Sequence, residues 1–146
     1  MINERTYNML DNTDIRILEE LSHNSRVTMK ELGEKVHMTG QATSARVAKL
    51  EDNGVIEGYT IKVNQAKLGC HIHAFITIFT QSLNHRPYLS FIKSQGEYTI
   101  NNFKISGDGC YLLECRFPSN EHLDQFLTQL NKYANYKLTT VINKME

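Results

Sequence analysis

Gln41, Ser44 and Arg46 stand close together and carry side chains suited to reading a pattern of donors and acceptors. A Gln amide can bond two atoms on one adenine edge in the DNA major groove, and an Arg guanidinium can bond both acceptors of guanine. Each such pair discriminates by about 1–3 kcal/mol. Ser25, Arg26, Thr28, Thr39 and Lys49 carry hydroxyls or cations able to donate to phosphate oxygens, and Lys62 offers the same further along. Contacts of that kind fix register without carrying sequence information. Plainer uses stay open beside these: Arg46 can pair with Glu20 or Glu51, Gln41 can be solvated, and Thr39 can serve only as a helix cap. Ala42, Ala45 and Ala48 are good helix formers whose small size permits close approach to another surface.

Other chemistry is thinner. His71 and His73 alternate, so within a strand they share a face on which two imidazoles can hold a metal or pass a proton. No HExxH, paired-carboxylate motif, Gly-rich phosphate loop or Cys-His nucleophile pair accompanies them. Cys70, Cys110 and Cys115 form neither a CxxC pair nor an even set, which argues for reduced thiols rather than a disulfide framework or a thiolate zinc site. No catalytic residue, metal ligand or cofactor is therefore expected.

The whole composition narrows the classes. Lys and Arg number 16, as do Asp and Glu, and this balance counts against non-specific coating of nucleic acid, which needs many cations to release counterions. Nucleic-acid binding must then be local. Between Ser25 and Leu50, Arg26, Lys30, Lys35, Arg46 and Lys49 outnumber Glu31 and Glu34. Hydrophobic residues at 40% and charged ones at 22% sit near the averages for soluble globular chains, so disorder is disfavoured. No apolar run is long enough for a membrane span, and the start MINERTYNMLDNTD lacks a secretory stretch; a cytoplasmic protein with no membrane partner is expected.

Elements must position these residues. Leu10, Ile15, Leu18 and Leu21 are spaced for one face of a first helix, with Asn12 or Thr13 as its cap. Thr28 stands three residues before Glu31 in a capping-box pattern, and Leu32 and Val36 supply the second helix's apolar positions. Thr39 can cap a third helix through Gln41, Ser44, Val47 and Leu50, ended by Asp52-Asn53-Gly54. Thr43, Val47 and Leu50 then face inward, Gln41, Ser44, Ala45, Ala48 and Lys49 face outward, and Arg46 lies at the margin. In a helix-turn-helix it is this helix whose residues enter the major groove. Val55–Val63 has enough β-branched and aromatic residues for two short strands around Glu57-Gly58, a β wing.

Past a hinge at Leu68-Gly69 the pattern changes to strand Cys70–Thr80, helix Arg86–Ser94, strand Tyr98–Ser106, strand Cys110–Phe117, helix Asn120–Tyr133 and strand Lys137–Asn143. This βαββαβ order predicts a ferredoxin-like sheet with both helices on one face. Ile72, Ala74, Ile76 and Ile78 share one side of the first strand, while Phe75, Thr77 and Phe79 share the other. Apolar residues on both faces imply a partner subunit over the second. Leu123, Phe126, Leu127 and Leu130 carry helical spacing toward the sheet. The fold class is α+β: a winged helix-turn-helix over residues 1–64 and a ferredoxin-like domain over 65–146 whose second sheet face points to oligomerisation.

The stretch LDNTDIRILEELSHNSRVTMKELGEKVHMTGQATSARVAKLEDNGVIEGYTIKVNQAKLG resembles the N-terminal region of the leucine-responsive and asparagine-regulator (Lrp/AsnC) family. LDNTD, SRVTMKELG, RVAKLEDNGVIEGYT and KLG follow that family's order and spacing, and ISGDGCYLLECRF resembles its ligand-binding and assembly domain, so the likeness spans nearly the whole chain. The resemblance implies a transcriptional regulator of double-stranded DNA that forms a homodimer, often built up to a tetramer or octamer, and responds to an amino-acid effector. It also implies an effector region. The family's turn between strands carries a Gly-Asp pair where subunits meet, matched here by Gly107 and Asp108 and continued by Gly109, Cys110 and Tyr111. An Asp can bind an amino acid's ammonium, and Gly lets backbone approach its carboxylate. A simple hairpin turn is the alternative.

The chain makes three departures from the family pattern. Cys110 stands where a second acidic residue is common, Ala45 and Ala48 stand where basic residues are common, and Thr39-Gly40 replaces Ser-Pro at the start of the third helix. Two other functions remain open at this point: an oligomeric DNA-wrapping architectural protein without an effector, and an enzyme like the haem-pathway decarboxylases of similar two-domain plan, using His71 and His73.

Overall fold

The computed structural model describes residues 10–146; most of the segment bearing on a secretory leader, residues 1–9, lies outside the described residues. The chain divides into two compact units, the first ending at Lys62 and the second beginning at Val63.

In the first unit, helix α1 spans Asn12–His23. Its cap is Asp11, a residue earlier than the expected Asn12 or Thr13. The Asp11 carboxylate accepts from the Asp14 amide at 2.8 Å, and the Asp14 carboxylate accepts from the Asp11 amide at 3.2 Å. Carboxylates are well placed here because the first amides of a helix lack partners within it. The buried face is Ile17 and Leu21, with Leu10 and Leu18 packed beside them, whereas Ile15 is exposed. The helical spacing is as expected, but its phase is turned toward Ile17.

Helix α2, Met29–Val36, begins with the expected box: Thr28 Oγ1 accepts from the Glu31 amide at 3.1 Å, and Glu31 accepts from the Thr28 amide at 3.3 Å. Leu32 and Val36 are buried. Helix α3, Gly40–Asp52, is capped by Thr39, which accepts from the Ala42 amide at 3.1 Å. It ends before Gly54, whose φ of +71° is the left-handed conformation that favours glycine. Thr43, Val47 and Leu50 join Ile17, Leu21, Leu32 and Val36 in the core of this unit. Thr43 is tolerated there because its hydroxyl donates to the Thr39 carbonyl at 2.8 Å.

The expected pair of strands over Val55–Val63 does not form a ladder within the chain; among the described residues no strand precedes Ile72. The amides of Val55 and Ile56 both donate to the Leu50 carbonyl, at 2.9 and 3.1 Å. They finish α3 instead of opening a strand. Glu57–Val63 follows as exposed, irregular chain.

The second unit opens on a short 3-10 turn, Gln65–Leu68, and then runs β1 (Ile72–Thr80), α4 (Arg86–Ser94), β2 (Thr99–Lys104), β3 (Tyr111–Phe117), α5 (Asn120–Leu130) and β4 (Ala134–Thr140). The sheet order is β2-β3-β1-β4, antiparallel throughout, with Ile76 opposite Leu113 on one side and Leu138 on the other. Ala74, Ile76, Ile78, Leu113, Cys115 and Phe117 form the buried side of the sheet, packed with Tyr88, Phe91 and Ile92 of α4 and Leu123, Phe126 and Leu130 of α5. Ile72, at the strand's edge, is half-buried against the same cluster. The last strand starts three residues before the expected Lys137, because α5 stops at Leu130 and Tyr133 closes a turn on the Leu130 carbonyl. The opposite sheet face carries His73, Phe75, Thr77 and Phe79 on β1, Leu112, Glu114 and Arg116 on β3, and Asn101 and Phe103 on β2.

Candidate nucleic-acid interface and effector turn

The first unit presents α3 with one side in the core and the other in water. Gln41, Ser44, Ala45, Ala48 and Lys49 are exposed, as the spacing predicts. Close packing of α2 on the start of α3 holds that helix in place. A Cβ on Gly33 would sit 2.6 Å from the Met38 carbonyl oxygen and 3.0 Å from Thr43 Oγ1, so only glycine fits. The turn between the helices also needs His37 at φ 59°, a left-handed residue that ends α2.

Several of the candidate DNA residues converge. Ser25 and Ser44 share a groove of about 340 Å³ with Ala48, Glu51 and Tyr59. Ser25, Arg26 and Lys62 line an adjoining groove of about 530 Å³ with Tyr59 and Thr60. Asn24 Oδ1 accepts from the Arg26 amide at 3.1 Å and so shapes the turn that presents Arg26. Thr28 and Thr39 are exposed caps whose oxygens accept backbone amides, and each hydroxyl hydrogen is left available to an outside acceptor. Lys49 stands apart, on the other flank of α3, lining a small pocket of about 140 Å³ with Leu10, Asp14 and Arg46.

Arg46, one of the two leading candidates for base reading, is already engaged. Its Nη1 donates to Asp11 Oδ2 at 2.6 Å, Asp11 Oδ1 at 2.7 Å and Asp14 Oδ1 at 3.1 Å. These bonds hold the Asp11 carboxyl below the usual carboxylate range and raise the Arg46 pKa. Its structural alternatives are also corrected: Glu20 pairs with Lys35 at 3.1 Å, and Glu51 accepts from the Tyr59 hydroxyl at 3.2 Å. An ion pair was the alternative reading of Arg46; its partners were illegible because Asp11 and Asp14 lie at the start of another helix. Tyr59, half exposed beside Ser44 in the groove, was missed as well, since its segment reads as strand.

In the second unit the turn between β2 and β3 is closed by the Ile105 amide donating to the Cys110 carbonyl at 3.1 Å. Gly107 and Gly109 have φ of +99° and +103°, and a Cβ on Gly109 would meet Thr77 Cγ2 at 2.6 Å. Asp108 is exposed at the tip. Cys110 is half-buried, and hydrogen bonds from Thr80 to its sulfur lower its thiol pKa. Tyr111 is corrected: its ring is buried against Tyr88, and its hydroxyl meets His85 Nδ1 at 3.0 Å, which withdraws it from the turn's surface. Thr80 Oγ1 lies 3.4 Å from Cys110 Sγ and 3.0 Å from His85 Nε2, linking Cys110 to Tyr111 through a polar chain. Sequence spacing gave no sign of it, because the four residues come from two strands, the loop before α4 and a turn.

The histidine pair is not a shared site. His71 is exposed and precedes β1, while His73 Nε2 donates to Glu114 Oε2 at 2.7 Å and Asn101 Nδ2 donates to Glu114 Oε1 at 2.9 Å. Burial opposes ionisation of Glu114, but the bonds from Asn101 and His73 and the charges of His73 and Arg116 prevail and lower its pKa. Among the described residues, no three His, Cys, Asp or Glu side chains gather to hold a metal ion. No helix there is long and apolar enough to cross a membrane.

A three-helix unit with an exposed third helix braced by the second, followed by a ferredoxin-like sheet, defines a helix-turn-helix DNA-binding protein. Residues 10–57 match the family model described as winged helix-turn-helix DNA-binding. The chain is 63% identical over 136 residues to the HTH-type transcriptional regulator LrpA of Bacillus subtilis, covering 93% of this chain and 100% of that protein. It is 41% identical to LrpB of the same organism, covering 94% of this chain and 91% of that one. The solved structure of B. subtilis LrpC superposes with a TM-score of 0.88 at 28% identity, over 94% of this chain and 97% of that one. The complex of the Neisseria meningitidis transcriptional regulator NMB0573 with L-methionine has the same fold, with a TM-score of 0.86 at 24% identity over 94% and 92% of the two chains. The chain belongs to the Lrp/AsnC family of transcriptional regulators.

Proposed function

We propose that this protein is a homodimeric or larger cytoplasmic regulator that reads one preferred DNA sequence through α3 and changes its binding in response to an amino acid. The observation that carries the reading is the exposed row Gln41, Ser44, Ala45 and Ala48 on a helix whose other side is buried in the core. Gln41 is the base-reading residue, with Ser44 beside it. Ser25, Arg26, Thr28, Thr39 and Lys62 donate to phosphates, and Lys49 does so from the opposite flank. Such an assignment suits a chain without net charge, because few phosphate contacts give modest non-specific affinity.

The effector contacts are Asp108, through its exposed carboxylate, and the backbone of Gly107, which has open space around it; Gly109 is packed on Thr77, and the Cys110 amide and carbonyl are already bonded to the Ile78 carbonyl and the Ile105 amide. The methionine complex of the Neisseria regulator supports an amino acid as the ligand class. The test is a mobility-shift titration of the purified protein on its own upstream DNA, over a salt series and with each proteinogenic amino acid. The expected result is a sequence-selective shift altered by one of them, and loss of that response in Asp108→Ala with DNA binding retained. Equal affinity for unrelated duplexes would favour a DNA-wrapping role instead; a selective shift indifferent to every amino acid would remove the effector.

A further inference from the structure

Arg46 ties the middle of α3 to the first turn of α1 through Asp11 and Asp14, a directional anchor beyond the close fit of Gly33 against Thr43 at the helix start. Thr43 is fitted against Gly33, but further along α3 Val47 and Leu50 pack by apolar contact, which is non-directional and tolerates a small roll of the helix. Charge-assisted hydrogen bonds do not, because they weaken steeply away from good geometry. The Asp11 Oδ1 that accepts from the Asp14 amide at 2.8 Å also accepts from Arg46 at 2.7 Å, so the cap of α1 and the anchor of α3 share an atom.

We propose that the Asp11–Asp14–Arg46 clamp is a positioning device for sequence recognition: it sets the roll of α3 about its axis, so that these residues determine selectivity without touching DNA. The inference rests on α3 being the base-reading helix. The size of the helix sets the scale of the effect. With side chains a helix is about 5–6 Å in radius, so a roll of about 10° moves the tip of an outward residue by about 1 Å. That is enough to spoil a bidentate contact from Gln41. Exposed ion pairs contribute little to stability, and the Asp11 side chain here is 55% exposed, so the clamp's main output is geometry.

All three contacts come from one nitrogen, Nη1, whose two hydrogens are shared among the three carboxylate oxygens. A lysine amine can therefore supply them, whereas a bidentate contact to guanine cannot be copied by lysine with the same fidelity. Asparagine at 11 and 14 keeps the cap of α1 while removing both charges.

The experiment first selects a duplex from a randomised pool with the native protein. Affinities for that duplex and for a scrambled one are then measured over a salt series for Arg46→Ala, Arg46→Lys and the double variant Asp11→Asn, Asp14→Asn. The clamp predicts that Arg46→Ala and the double variant each lose about tenfold or more on the selected duplex, with scrambled-duplex affinity and salt slope unchanged, and that Arg46→Lys recovers most of the loss. Three results overturn it: unchanged binding to the selected duplex, a salt slope reduced by about one in Arg46→Ala, or tighter binding of both duplexes by the double variant. The second and third make Arg46 a phosphate contact freed by losing its carboxylates. A native protein that enriches no sequence overturns the reading of α3 itself.

Discussion

Cys110 and Cys115 lie five residues apart yet differ sharply in chemistry. Cys115 has no exposed surface, and burial pushes its thiol up to about 12. Cys110 is half-buried, and the hydrogen bonds from Thr80 favour its thiolate. Since the thiolate is the nucleophile, iodoacetamide near neutral pH is expected to alkylate Cys110 well before Cys115, by at least about tenfold in rate. Peptide mass mapping over a time course checks this, and modification of Cys115 first would contradict the packing of β3. At this scale the sequence was legible where a residue acts on its immediate neighbours. Thr28 and Thr39 cap their helices as spacing predicts, because a cap bonds an amide three residues on. Arg46 was half-legible: its helical phase put it at the margin, while its carboxylates are 35 and 32 residues away. Tyr111 was misplaced because β3 begins at that residue and its alternation turns the ring toward the core.

The pairing of α2 with α3 leaves no room for a side chain at Gly33. A methyl there would press on the Met38 carbonyl, which is backbone and cannot swing aside, and on Thr43 Oγ1, which is held by its bond to Thr39. Gly33→Ala is therefore expected to destabilise the first unit by about 1–3 kcal/mol, in spite of alanine's better helix propensity. Thermal or urea unfolding followed by circular dichroism measures it; a variant as stable as the native protein would mean that the helices separate without cost. Helices were the readable elements because their caps and apolar periods are local signals. The wing was not readable in the same way. Its β-branched residues fit a strand, but the amides of Val55 and Ile56 are taken by Leu50, and so short a hairpin gains little without a surface to pack on. In β4 the strand exists but is shifted, since the end of α5 is set by the Tyr133 turn rather than by its own residues.

At the scale of the molecule the unsettled surface is the sheet face away from α4 and α5. Phe75 and Leu112 are half-buried there and Phe103 is 50% exposed, with Leu112 opposite both Phe103 and Thr77 in the ladders. Beside them Glu114 accepts from both His73 and Asn101, so a second copy could cover this face without stranding that carboxylate. The alternation in β1 already pointed to such a partner, because apolar residues on both sides of a strand have no use if one side stays in water. On the reading of the protein as a homodimer, Leu112→Glu places an unpaired carboxylate at the centre of the covered face, and burying it is costly. The expected outcome in sedimentation is a particle of half the native dimer mass, or dimer dissociation strengthened by about a hundredfold or more, with the circular dichroism of the second unit unchanged because Leu112 lies outside its core cluster. DNA binding should weaken with it, since a monomer engages a single half-site where a dimer engages two. A variant that keeps its native size would move the subunit contact off this face and leave Phe75, Leu112 and Phe103 to another partner.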